Sequence, residues 1–189
     1  MSTTRPKPPG APAPERIETA RLVLRRPRFE DAGAIFARYA SDPEVTRFVG
    51  FPTHRSIEDT RAFLEFSETE WGRWPAGPYL IESRDGGTLL GGTGFTFETP
   101  HRAVTGYVLA RDAWRQGYAT EALRAIVALA GPIGVRRLYA LCHPEHQASA
   151  RVLEKCGFTR EATLHRHTVF PNLAPEEPGD VLCYALVVD

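Results

Sequence analysis

The charged ends of Arg21-Leu22-Val23-Leu24-Arg25 enclose apolar positions in the manner of a strand. The period then changes. From Glu30 to Ala40 two acids lead, where the positive end of a helix favours them, and Ile35, Phe36, Tyr39 and Ala40 form one face, which predicts a helix with that face buried. Ser56-Ile57-Glu58-Asp59 reads as a capping box, and Ile57, Thr60, Leu64 and Trp71 continue a helical stripe to about Gly72. Tyr79 to Glu82 and Thr88 to Phe97 predict a hairpin joined through Asp85-Gly86-Gly87, with Gly91, Gly92 and Gly94 letting its second strand bend or bulge. Val104 to Ala110 is the next strand. Ala119, Leu123, Ile126 and Ala130 then recur at helical spacing until Gly131-Pro132 stops them. Arg137 to Cys142 predicts a strand, Gln147 to Cys156 a helix, and Thr159 to Val169 and Val181 to Val188 two closing strands. The order β-α-α-β-β-β-α-β-α-β-β argues for a mixed α/β sheet with helices on both faces.

Residues 1–16 carry Pro6, Pro8, Pro9, Pro12 and Pro14 and almost no bulky apolar side chain, which predicts a disordered or polyproline tail ahead of one domain over 17–189. With 189 residues, 42% of them hydrophobic, the chain has the length and apolar content for one real core. Lys plus Arg equals Asp plus Glu at 23 each, so no global field draws in nucleic acid or an anionic membrane, and any partner is chosen locally. Cys142, Cys156 and Cys183 are odd in number and lack metal-type spacing, which predicts reduced thiols in a cytoplasm. No apolar run approaches the roughly 18 residues of a membrane span, and the beginning has no signal-peptide core. A soluble, cytoplasmic protein is expected.

The candidate chemistry starts at the junction Ala113-Trp114-Arg115-Gln116-Gly117-Tyr118-Ala119-Thr120-Glu121, between a strand and a helix. The first N–H groups of a helix have no internal partners and carry the positive end of its dipole, so an anion fits there. Gly117 brings the backbone close to a ligand and Ala119 keeps the next turn nearly bare. There is no Gly-Lys-Ser/Thr, hence no lysine for a terminal phosphate and no hydroxyl for magnesium, so a pyrophosphate held by amides without metal is the better reading. By itself the same glycine also reads as a simple turn. A second stretch, from His143-Pro144-Glu145-His146 through Ser149 to Glu154-Lys155-Cys156-Gly157-Phe158, supplies a turn, a short helix and a Gly-Phe stop.

Together the two stretches resemble the GNAT acyltransferase superfamily and its RimJ/RimL-like branch, which acetylates protein N-termini and assorted small amines. The pyrophosphate loop of that family, Gln/Arg-x-x-Gly-x-Gly/Ala, is met at Gly117 and Ala119, with Trp114 departing from its first position. The later motif, Asn-x-x-Ser followed by a helix ending Glu-Lys-x-Gly-Phe, is met at Ser149, Glu154, Lys155, Gly157 and Phe158, while His146 replaces the asparagine. The likeness runs less sharply from about Ile17 to the C-terminus.

The resemblance implies a GNAT-type fold: a mixed, mostly antiparallel twisted sheet of about seven strands, helices on both faces, and a V-shaped cleft between the fourth and fifth strands. It implies acetyl-CoA as cosubstrate, with no metal. The pantetheine arm is expected along the backbone of Val108, Leu109 and Ala110, the diphosphate on Arg115, Gln116, Gly117, Tyr118, Ala119 and Thr120, and the thioester end near His146 and Ser149. Ser149 is the candidate general acid, since the family tyrosine position aligns with Leu153; it also reads as a helix cap. Where many members place a glutamate base, this chain has Val104. Glu98 is left as the candidate base, beside His101, and both also read as solvated loop residues. The acceptor wall is expected from Phe48, Phe51, His54 and Phe170, unless these dock simply onto the core.

Holding a lysine-like amine of pKa about 10.4 neutral at pH 7 costs about 4.6 kcal/mol, whereas an α-amino group near 7.8 costs about 1.1 kcal/mol. A missing carboxylate therefore favours a low-pKa amine with water carrying the proton. The expected partner is an amine, either a protein N-terminus or a small molecule, with no nucleic acid or membrane, on a monomer or homodimer. The departures at Val104, Leu153 and His146 keep a second reading open, an acyl-CoA binder that has lost catalysis.

Overall fold

The computed structural model describes residues 10–188. Its sheet has eight strands in the order β1-β2-β3-β4-β5-β6-β8-β7: β1 Arg16–Glu18, β2 Leu22–Arg25, β3 Pro78–Ser83, β4 Leu89–Thr99, β5 Arg102–Leu109, β6 Arg137–Cys142, β7 Thr159–Phe170 and β8 Ala174–Val187. Every neighbouring pair is antiparallel except β5 and β6. The eighth strand is β1, three residues long and without an apolar alternation to announce it.

Two cores flank the sheet. Because successive strand residues point to opposite faces, Leu80 joins one and Ile81 the other. On the first face lie α1 (Ala32–Ile35) with the π-type turn Phe36–Ala40, α2 (Pro43–Thr46) and α3 (Ile57–Arg73), which bury Ile35, Tyr39, Val45 and Leu64 against Leu80 and Leu89. The capping box of α3 forms: Asp59 Oδ2 accepts the Ser56 N–H at 3.1 Å. On the second face α4 (Tyr118–Ala130) and α5 (Gln147–Lys155) bury Leu123, Ile126 and Leu153 against Leu22, Phe95 and Leu138. A fully buried Leu or Ile contributes roughly 1.5–3 kcal/mol.

Three features of the fold differ from the sequence expectation. The tail expected over 1–16 lies outside the described residues as far as residue 9, but residues 10–16 are built onto the domain. Ala13 is buried and donates its N–H to Pro75 O at 2.8 Å, and Pro14 O accepts the Tyr79 hydroxyl at 2.8 Å. The prolines there fit because an extended segment without a strand partner has little need of their missing N–H. Second, β8 starts at Ala174 rather than Val181. Its pairing with β6 covers only Leu182 to Val187, so the earlier residues extend with β7 as an exposed ribbon with no core to impose alternation. Third, a short helix at Pro43–Thr46 has no apolar stripe and is set by its cap, where Asp42 Oδ1 accepts the Glu44 N–H at 2.9 Å and Pro43 opens the first turn.

The feature that makes a site is where β5 and β6 part. They pair in parallel only from Arg102 with Arg137 to Val104 with Tyr139. Beyond that point β5 runs on to Leu109 along β4, and β6 runs on to Cys142 along β8, leaving an opening between them. Counting β1, the cleft lies between the fifth and sixth strands. Gly94 sustains the close packing behind it: at φ 142° its backbone passes so near Gly77 that a Cβ would stand 2.6 Å from the Gly77 carbonyl oxygen.

Candidate active site

The corner at Gly117 is formed by main chain. After β5 a 3-10 turn, Arg111–Ala113, carries the chain outward. Arg115 at φ 59° and Gly117 at φ 80° then reverse it into α4. Glu121 is the first residue whose N–H closes a helical bond, onto Gly117 O at 3.1 Å. Among the described residues, the N–H groups of Arg115 through Thr120 have no protein acceptor. The side chains of Arg115 and Gln116 lie exposed, and Tyr118, Ala119 and Thr120 are half-buried.

Arg21, read from the sequence only as the edge of a strand, completes this corner. Its guanidinium donates to Gln116 O at 2.9 Å and to Glu121 Oε2 at 2.7 Å, and lies 4.6 Å from the Tyr118 ring centre. Its remaining terminal nitrogen would be 3.4 Å from a Cβ on Gly117. Glu121 anchors the arrangement by also accepting the Arg21 N–H at 2.8 Å and the Thr19 hydroxyl at 2.6 Å. Burial opposes its ionisation, but these bonds outweigh burial and hold the carboxyl below its usual range. Beside the corner is a surface hollow of ≈ 660 Å³ with Arg21, Arg124 and Lys155 on its rim.

The cleft itself encloses ≈ 670 Å³. Ala110 donates its N–H to Leu90 O at 2.8 Å, so by the two-residue alternation of a ladder Val108 also faces β4, while Tyr107 and Leu109 turn their main chain to the opening. Leu109 O accepts the Trp114 indole N–H at 2.7 Å. Of the three residues expected along a pantetheine arm, Leu109 N–H is therefore the group left free, and Trp114 has a fixed role in holding the loop to the strand.

At the head of the cleft, Tyr107 Oη and Ser149 Oγ are 2.9 Å apart, and Tyr107 also donates to Ser149 O at 3.0 Å. The cap of α5 is His146, with Ser149 one turn inside, so the Ser149 hydroxyl reaches across to β5 instead of capping its own helix. Burial raises the Tyr107 phenol above its ordinary range, against the opposing Ser149 bond, so it stays protonated. Leu153 is buried and lines the same cleft without a hydroxyl. Sequence reading missed Tyr107; its place beside Thr105 and Leu109 at every second position of β5 was the available signal.

Phe48, Phe51, His54 and Phe170 all line the cleft. His146 stacks on Phe48 at 4.8 Å between centroids, and His143 meets Phe48 at 4.9 Å and Phe170 at 4.7 Å. Asn172, in the β7–β8 turn, fastens the loop that carries these rings: its Nδ2 donates to Thr46 O at 2.7 Å and Phe51 O at 2.9 Å, and its Oδ1 accepts the Thr53 N–H at 2.8 Å. Burial pushes His54, His143 and His146 below the ordinary imidazole value, so all three are neutral at pH 7. His143 Nδ1 accepts the Glu145 N–H at 3.2 Å, which puts its proton on Nε2, whereas no hydrogen bond engages the His146 ring among the described residues.

Glu98 is a correction. It is exposed, does not line the cleft, and has both oxygens engaged, Oε2 with Arg102 Nε at 2.6 Å and Oε1 with the Tyr139 hydroxyl at 2.6 Å. It sits where β4 turns to β5, at the end of the strands away from the opening, and His101 likewise does not line the cleft. Among the described residues no group of three His, Cys, Asp or Glu side chains is arranged to hold a metal ion, and no helix is long and apolar enough to cross a membrane.

Comparison with known proteins gives the family and the fold. The model of the acetyltransferase (GNAT) domain matches residues 21–159. The chain is 34% identical to the protein named uncharacterized N-acetyltransferase YoaA of Bacillus subtilis (strain 168), over 90% of this chain and 96% of that one. A GNAT-family acetyltransferase crystal structure from Bacillus anthracis superposes with a TM-score of 0.77 at 27% identity, covering 91% of this chain and 98% of the other. The fold is also that of RimL, a ribosomal L7/L12 α-N-protein acetyltransferase solved with coenzyme A, at a TM-score of 0.81 and 24% identity over 93% of this chain and 99% of that one. With the domain match covering most of its length, the chain belongs to the GNAT acetyltransferase family.

Proposed function

We propose that the protein moves the acetyl group of acetyl-CoA to a primary amine by direct attack in a ternary complex. The observation that carries this reading is the continuity of three features: unpartnered N–H groups at Arg115 to Thr120, the open edge of β5 at Leu109, and the paired hydroxyls of Tyr107 and Ser149 at the cleft head. The corner suits a diphosphate, with the N–H groups and the positive end of α4 facing it and Arg21 adding a fixed cation. The Leu109 N–H suits an amide of the pantetheine arm.

Acetyl-CoA supplies a thioester. The amine nitrogen forms a bond to the carbonyl carbon, the carbon–sulfur bond breaks, the sulfur gains a proton and the amine loses one. With Tyr107 spending its proton on Ser149 O, the Ser149 hydroxyl is the group that suits hydrogen-bond donation to the departing sulfur, and Tyr107 holds it in place. His146, neutral and with an uncommitted ring, suits acceptance of the amine proton in place of the absent carboxylate. That RimL acts on a protein α-amine supports an amine acceptor, and that the fold neighbour MccE was solved with AMP beside acetyl-CoA supports room for a small molecule next to the cosubstrate. Three free cysteines, all buried, support a reducing cytoplasm as the compartment.

Val104 and Leu153 bring neither a carboxylate nor a hydroxyl to the cleft, which favours the alternative of an acyl-CoA binder without turnover. Isothermal titration with acetyl-CoA followed by thiol release over a panel of amines separates the two. Binding with release on an amine supports the transferase; binding with no release on any amine supports the alternative.

A further inference from the structure

We infer that the acceptor is a primary amine whose only charge is the amine and that carries an aromatic or comparably bulky apolar group close to it. This rests on the transferase reading above and deepens it.

The wall of the cleft beyond Tyr107 and Ser149 is aromatic: Phe48, Phe51, Phe63, Phe66 and Phe170 line it, with His54, His143 and His146 among them. The rings are close to the chemistry. Phe48 stacks on His146, and His146 O accepts the Ser149 N–H at 3.0 Å, so one helical turn separates the aromatic wall from the hydroxyl pair. Such a wall binds an aromatic group by ring packing and by its apolar area.

The same wall offers little to additional charge. Among the described residues no Lys or Arg lines the cleft, and Asp59 is its one carboxylate. Asp59 Oδ2 already accepts the Arg55 and Ser56 N–H groups at 2.7 and 3.1 Å, at the start of α3. The Thr93 and Thr105 hydroxyls facing the cleft are tied to Gly106 O and Gly94 O, each at 2.8 Å. With the histidines neutral and Asp59 exposed to solvent, a second ammonium of a polyamine or aminoglycoside carried into the aromatic wall would be desolvated against only a water-screened counter-charge. Arg47, whose guanidinium lies 5.0 Å from the Phe48 ring, does not line the cleft, so the carboxylate of a free amino acid would meet no cation inside it. An arylalkylamine and the first residue of a peptide beginning with an aromatic residue share the required chemistry, and both are therefore tested.

The test is thiol release by the full-length protein at saturating acetyl-CoA with phenethylamine, a peptide beginning with Phe, a peptide beginning with Ser, free phenylalanine, putrescine, spermidine and kanamycin. The expected result is kcat/KM at least tenfold higher for phenethylamine or the Phe peptide than for the other five, the better of the two identifying the source. Phe48→Ala should cut that ratio at least fivefold while leaving the KM for acetyl-CoA within about twofold. Equal or faster turnover of putrescine, spermidine, kanamycin, free phenylalanine or the Ser peptide overturns this inference and leaves the transferase reading intact. Thiol release with none of the amines overturns both.

Discussion

Tyr107 on β5 and Ser149 on α5, 42 positions apart in the chain, hold their hydroxyl oxygens 2.9 Å from each other at the head of the cleft. Each fixes the other's direction, and burial keeps the phenol protonated. In the proposed reaction Tyr107 spends its proton on Ser149 O and the Ser149 hydroxyl is the donor, in a low-dielectric place where a hydrogen bond to a developing negative charge counts most.

Removing either oxygen should therefore slow chemistry more than it weakens cosubstrate binding. Tyr107→Phe and Ser149→Ala are each expected to lower kcat by roughly 10- to 100-fold, with little change in the KM for acetyl-CoA. Because the two groups act through one contact, the double variant should lose less than the product of the single losses. Steady-state thiol release on the four proteins checks this; a lowered melting temperature with unchanged kcat would mark the pair as structural.

Gly117→Val puts a β-branched side chain at φ 80° and a Cβ toward Arg21. The backbone conformation costs about 1–2 kcal/mol of stability, and the side chain fills the space that a diphosphate would use. Titration with coenzyme A should show at least tenfold weaker binding. Gly117→Ala, with the same strain and a smaller group, should lie between.

The cation at Arg21 is held rigidly by Glu121 and Gln116 O, so its replacement removes charge from a prepared place. For Arg21→Met the KM for acetyl-CoA should rise roughly tenfold, in line with a lost charge-assisted hydrogen bond of about 1.5–3 kcal/mol. The value of kcat should change little, and raising the salt concentration should narrow the gap between variant and wild type.

The acid side of the pH profile follows from His146. Burial first, and His143 second, lower its pKa below 6.5, so the ring is neutral and able to accept a proton at pH 7 and loses that ability as pH falls through the lowered value. Turnover should be flat down to about pH 6.5 and decline below it, and His146→Asn should lose both rate at pH 7 and this decline. Stability moves in the same direction. A histidine whose folded pKa is depressed leaves the unfolded chain binding more protons, so stability is greatest above 6.5 and drops as pH falls from there toward the folded value.

Asn172 ties the aromatic loop to the β7–β8 turn through Thr46 O, Phe51 O and the Thr53 N–H. In Asn172→Ala those groups lose a buried partner, at about 1–3 kcal/mol for each group left unsatisfied. The KM for the amine should rise several-fold while the KM for acetyl-CoA holds, as initial-rate measurements with each substrate varied would report.

The parts of the site that depend on backbone were readable in the chain. Gly117 stands at φ 80°, a conformation that residue type announces, and the small Ala119 leaves the start of α4 bare. The aromatic loop from Phe48 to His54 was readable for a similar reason, since so many rings outside a regular element need something to face. What depends on distant pairing was not. Tyr107 looks like one more member of an apolar strand until α5 brings Ser149 to it, and Arg21 looks like a strand edge until Glu121, 100 positions on, turns it toward the loop. Glu98 reads as the candidate base because a carboxylate near the right strand is the visible feature; the topology puts that carboxylate at the far end and brings His146 to the cleft. In the fold, β1 and the first half of β8 escaped notice because exposed strands leave no alternation to read.

A crystal structure of the protein grown with coenzyme A tests the central claim most directly. The account predicts the diphosphate within hydrogen-bond distance of N–H groups between Arg115 and Thr120, with Arg21 beside it and the thiol end pointing to Tyr107 and Ser149. A diphosphate bound away from that loop, or a thiol end directed elsewhere than the cleft head, would contradict it.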